Sequence, residues 1–126
     1  MDDVSTLGLS ESSHRHLSTF KDVGLFNELV DGYRFAISLA LATGAEADLP
    51  VVTNRRTIFN VGTLDPDRQL SKIVLSLGVA DDESVYRTLE RLAEWGIREM
   101  VRVRETEGRL TLDRFFLDDH VDTAPV

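Results

Sequence analysis

The run from Leu7 to Ala42, LGLSESSHRHLSTFKDVGLFNELVDGYRFAISLALA, constrains the fold most, because it joins a short apolar segment, a capped helix, a glycine break and a second amphipathic helix. Leu7 and Leu9 flank Gly8 and can form a short strand; Ser10 carries the oxygen an N-cap needs, and Ser13 and Leu17 follow at helical spacing. Gly24 breaks the run. At about 100° per residue, Leu25, Phe26, Leu29, Val30, Tyr33, Ala36, Ile37, Ala40 and Leu41 cover roughly 160° of the next helix, with Glu28, Asp31, Arg34 and Ser38 opposite. A face that wide has to be covered by other helices.

Beyond Thr43 the pattern changes. Gly44, Pro50, Gly62 and Pro66 interrupt the segment that ends near Gln69, so it reads as an ordered connector anchored by Val51, Val52, Ile58 and Phe59. Asp65 before Pro66 reads as an N-cap with proline in the first helical position, and RQLSKIVLSLG continues as a third helix ended by Gly78. Asp81 or Asp82 can cap a fourth helix that runs to about Gly108. Its Val85, Leu89, Leu92, Ala93, Ile97, Met100 and Val103 share one side. Leu112, Phe115 and Phe116 are expected to pack before an acidic tail. The expectation is therefore an all-α, compact bundle of about four main helices, a single domain over 1–126 with residues 1–6 and 118–126 as flexible tails.

With no cysteine, thiol catalysis, iron–sulfur ligation and thiolate zinc sites are excluded. The beginning MDDVST has neither a basic region nor an apolar stretch fit for export or membrane spanning, so a cytoplasmic location without membrane contact is expected. A formal net charge of −8 argues against a generally basic nucleic-acid binder, since phosphate contacts supply most non-specific affinity. Contact with DNA must come from a local patch. Lysine is confined to Lys21 and Lys72, a usage that fits a high-salt cytoplasm and a GC-rich genome equally well.

No catalytic constellation is legible. His14 and His16 are two apart and diverge by about 200° on a helix, and His120 lies in the acidic tail. Asp65, Asp67, Asp81 and Asp82 suit turns and caps; Asp118, Asp119 and Asp122 lack the glycine and distal glutamate of a calcium loop. Nucleotide-binding and serine-elbow motifs are absent, so neither catalysis nor a cofactor or metal is expected.

The arginines say more. Arg87, Arg91, Arg98 and Arg102 fall within a stripe of about 60° opposite the apolar side of the fourth helix, where phosphates could lie. Glu94 and Glu105 point into the same sector, and Glu–Arg pairs at helical spacing are ordinary solvated decoration, the more frequent reading. Arg55 and Arg56 sit beside Thr53, Asn54 and Thr57, where several donors can converge on a phosphate; an interface salt-bridge pair explains them equally well.

Three blocks resemble the DndE family, the small helical component of the DNA phosphorothioation machinery: LGLSESSHRHLSTFKDVGLFNELVDGYRFAISLAL, TNRRTIFNVGTLDPDRQLSKIVLSL and VYRTLERLAEWGIREM. Together they span most of Leu7 to Val103. The chain departs from that family at Leu92-Ala93-Glu94-Trp95-Gly96, where a His-Asn-Arg-Gly-like sequence is usual. The resemblance implies a ribbon-helix-helix-like N-terminal part and a homotetramer. It also implies a non-catalytic accessory role in DNA phosphorothioation, with binding to nicked or intact duplex and assembly with sulfur-transfer and ATPase partners. By position it makes Arg15 and Lys21 further DNA-contacting residues. Two other classes compete: a ribbon-helix-helix DNA-binding regulator, which needs an intermolecular strand near Ser5–Leu9 with base-reading side chains, and a pure protein-interaction adaptor. Phe26, Tyr33, Phe35 and Trp95 are many large side chains for one short chain to cover, which also favours self-association.

Overall fold

The computed structural model describes residues 6–80 and 85–108. Strand β1 (Thr6–Ser10) leads directly into helix α1 (Glu11–Asp22), followed by α2 (Leu29–Ala42) and a single 3₁₀ turn at Ala45–Ala47. Strand β2 (Arg55–Asn60), the short helix α3 (Val61–Leu64), α4 (Gln69–Ser76) and the long α5 (Val85–Glu107) complete the order.

The strands correct the all-α expectation. β1 and β2 form a two-stranded antiparallel sheet in which Leu7 faces Phe59 and Ser10 faces Arg55, with a register shift between Leu7 and Gly8. The protein is therefore mainly helical with a small sheet, a mixed α/β architecture. Thr57, Ile58 and Phe59 have the β-branched and aromatic character of a strand, but the adjacent arginines conceal it. Thr6, expected in a flexible tail, belongs to β1 and faces Asn60.

Local chemistry sets the helix ends. Ser10 is the N-cap of α1, its side chain accepting the Ser13 N–H. Helix α2 begins later than the apolar pattern suggested, because Glu28 and Asp31 form a reciprocal capping box after the left-handed turn at Gly24. Asp65 does not cap a helix starting at Pro66. The chain first turns through Arg68 in the left-handed region (φ 62°), and Asp65 Oδ1 and Oδ2 accept the N–H groups of Leu70 and Ser71 from α4. The expected caps Asp81 and Asp82, the apolar Leu112, Phe115 and Phe116, and the acidic tail with His120 lie outside the described residues.

The core forms where α1 and β1 close over the packed pair α2 and α5. Leu17 and Phe20 of α1 meet Tyr33, Ala36, Ile37 and Ala40 of α2 and Leu89, Leu92, Ala93, Ile97 and Met100 of α5, all essentially inaccessible. Each such Leu or Ile contributes roughly 1.5–3 kcal/mol on burial. The seven α5 positions predicted to share one side are all buried. Gly96 permits the close α2–α5 approach: a Cβ there would stand 2.2 Å from the Ala36 carbonyl oxygen. Phe26 and Tyr33 are buried within the single chain, and Phe35 and Trp95 are partly buried against its core. Of the four side chains expected to favour self-association, Phe26 and Tyr33 are thus covered within the chain, while Phe35 and Trp95 stay partly exposed. Among the described residues no helix is long and apolar enough to cross a membrane.

Candidate nucleic-acid interface

Two glutamates on α5 organise the polar side of the fold. Glu90 Oε1 accepts the Gly8 N–H at 2.9 Å, and Glu94 Oε1 accepts the Ser10 N–H at 3.0 Å. Residues four apart on a helix are separated axially by about 6 Å, close to the roughly 6.6–6.8 Å between alternate residues of a strand. The pair can therefore follow the edge of β1 turned away from β2, where a third strand would otherwise bind. Glu94 Oε2 also accepts the hydroxyls of Ser10 and Ser13, at 2.8 and 2.9 Å. The carbonyl of Gly8 accepts the Tyr33 hydroxyl at 2.9 Å. Burial pushes that phenol well above its ordinary pKa, and nearby Glu90 pushes it further in the same direction. Gly8 is obligatory here, since a Cβ would lie 2.3 Å from the Arg56 carbonyl oxygen.

Glu94 thus corrects the sequence reading. Expected among solvated decoration, it is fully buried, and Glu90 is only 3% exposed. Burying carboxylates is costly unless they are paired and hydrogen-bonded. Both are: no buried side-chain N or O among the described residues lacks a partner.

The charge partners are arginines that reach the surface. Arg55 lies against Glu90 through Nε and Nη2, the latter at 2.9 Å, and also bonds Thr6 and Thr57. Arg87 approaches the same carboxylate at 3.3 Å. Arg98 donates from Nε to Glu94 Oε2 at 2.8 Å. Arg91 has no carboxylate partner among the described residues; its guanidinium donates to the carbonyls of Leu49 and Pro50, holding that loop along α5. Three guanidinium groups therefore meet two carboxylates, and the carboxylates lie beneath the surface while Arg87, Arg91 and Arg98 remain exposed. Solvent meets the positive layer first.

Beside this row is a cleft of about 350 Å³ lined by Ser10, Glu11, Ser12, Ser13, His16, Thr53, Asn54, Arg98 and Val101. Asn54, at a positive φ of 50° that asparagine tolerates, accepts the Glu11 N–H with its carbonyl and so ties the loop to the start of α1.

The structure separates the two connector arginines. Arg55 points inward to Glu90, whereas Arg56 projects outward with 57% of its side chain exposed, 3.6 Å from the equally exposed Glu11. Arg87, Arg91 and Arg98 come together as a row on α5; Arg102 continues it, held by Glu99, which also raises its pKa through their hydrogen bond. Arg15 is exposed and Lys21 half-buried on α1, a different element from the helix that carries the row. Among the described residues no group of His, Asp and Glu could hold a metal ion. The sequence reading passed over Glu90. Its available signal was an i, i+4 glutamate pair bordering an apolar helix face, beside a strand with an unpartnered edge.

Comparisons with protein-family models, with curated proteins and with solved structures returned no match.

Proposed function

We propose that this chain is a non-catalytic DNA-contacting protein of the DndE type, an accessory to DNA phosphorothioation that holds nicked or intact duplex through phosphate contacts. The observation that carries the DNA part is the row Arg87, Arg91, Arg98 and Arg102, in which Arg87 and Arg98 are set over the buried carboxylates of Glu90 and Glu94, with Arg56 nearby in sequence to the cleft-lining Asn54. Such a layer offers guanidinium donors to phosphate oxygens on a chain whose net charge is −8. The phosphorothioation setting comes from the three sequence blocks alone. Engagement of both β1 edges within the chain, by β2 and by the two glutamates, disfavours the ribbon-helix-helix regulator, which needs that strand for a second subunit.

The reading includes self-association, with the homotetramer of the resemblance, and among the described residues Val23, Val51, Ile73 and Leu77 are exposed large apolar side chains available to it. Fluorescence anisotropy with labelled duplexes of unrelated sequence tests the DNA contact. The reading expects similar affinities across sequences, weakening steeply with salt. Absence of binding at low salt would favour the protein-interaction adaptor.

A further inference from the structure

The arginine row is open, but the cleft beside it is concave and its donors come from three separate elements. Arg98 commits Nε to the fully buried Glu94, which fixes the guanidinium while its terminal amino groups remain without a partner among the described residues. Ser12 and His16 come from α1, and Thr53 and Asn54 from the loop before β2. Glu11, the acidic group on the rim, is drawn toward Arg56 at 3.6 Å. The volume of about 350 Å³ falls at the lower end of small-ligand sites, roughly 300–1,000 Å³.

We propose that this cleft is a subsite for a phosphate monoester, with Arg98 supplying the charge and Ser12, His16, Thr53 and Asn54 surrounding the remaining oxygens. A monoester presents three terminal oxygens and a charge of about −1.5 to −2 near neutral pH, so donors arriving from several directions suit it. A phosphodiester, flanked by sugars on both sides, suits the open row along α5. The inference rests on the DNA-contact reading only for the molecule that carries the phosphate: a 5′-phosphorylated strand end or a free phosphate presents the same group.

The test uses the full chain and two nicked duplexes of identical sequence, one with a 5′-phosphate and one with a 5′-hydroxyl at the nick, together with inorganic phosphate followed by NMR. Preference for the 5′-phosphate on the order of tenfold is expected, from one added set of charge-assisted hydrogen bonds. Arg98→Gln should remove the preference. Asn54→Gly, which keeps the positive φ, should reduce it in a chain whose circular dichroism is unchanged. Phosphate signals perturbing Ser12, His16 and Asn54 without any duplex binding would leave the subsite standing and remove the DNA reading. Equal affinity for both nicks with no response to inorganic phosphate would overturn the subsite and leave the DNA reading intact. A preference that survives both variants would also overturn it.

Discussion

Glu90 Oε1 accepts the backbone N–H of Gly8 at 2.9 Å, a bond between residues 82 positions apart that attaches the first strand to the last described helix. With Glu94 on Ser10 and Tyr33 on the Gly8 carbonyl, it satisfies the side of β1 that β2 does not reach. The carboxylates that close the strand also hold Arg55, Arg87 and Arg98. Fold and candidate interface therefore share the same buried atoms.

Replacing Glu94 with Ala should cost about 3–5 kcal/mol, because the Ser10 N–H and the Ser10 and Ser13 hydroxyls lose a common acceptor inside the protein. Glu105→Ala, at an exposed position of the same helix, should stay within about 0.5 kcal/mol. Urea denaturation of the two variants checks the contrast; equal, small losses would contradict the buried role of Glu94.

Gly96→Ala should destabilise by about 1–3 kcal/mol or more, since the added methyl would enter the Ala36 backbone and α2 and α5 would have to separate. Gly62→Ala, with open space around the position, is the control and should be close to neutral. Thermal denaturation of the pair reads the difference.

Much of this packing was legible from residues alone. The spacing of Val85, Leu89, Leu92, Ala93, Ile97, Met100 and Val103 marked the buried side of α5, and Ser10 announced the start of α1. The small sheet was half legible: Leu7–Gly8–Leu9 suggested a strand, but its partner begins with Arg55 and Arg56, residues that mimic an exposed loop. Glu90 and Glu94 were misleading or passed over because charge type predicts exposure, and only the long-range meeting of β1 with α5 reverses that rule.

The connector arginines should behave differently despite being neighbours. Arg55→Ala removes a partner of the buried Glu90 and should cost about 1–3 kcal/mol, whereas Arg56→Ala breaks an exposed pair with Glu11 and should cost about 0–1 kcal/mol. Stability measured alongside DNA affinity separates folding loss from contact loss. Comparable destabilisation by both would contradict the inward placement of Arg55.

Tyr33 predicts an alkaline weakness. Its phenol pKa is raised in the folded protein, so the folded state retains this proton while the unfolded chain releases it above about pH 10. The stabilisation is complete below that unfolded value and is lost as pH rises toward the folded one. Denaturation midpoints should therefore fall from about pH 10 upward. Tyr33→Phe should flatten this fall while losing about 1–3 kcal/mol at neutral pH, where the Gly8 carbonyl is left without the hydroxyl. A Tyr33 tyrosinate forming near pH 10 in chain that is still folded would contradict the account.

The most direct measurement of the central claim is the salt dependence of duplex binding for the native chain and for an Arg91→Gln, Arg102→Gln variant. Each phosphate contact contributes a slope of about −0.9 in log K against log salt. The account predicts a negative slope for the native chain, shallower by about two units in the folded variant if each guanidinium contacts one phosphate, with affinity reduced alike on unrelated sequences. An unchanged slope and affinity in that variant, or a native chain that binds no duplex near 50 mM salt, would contradict it.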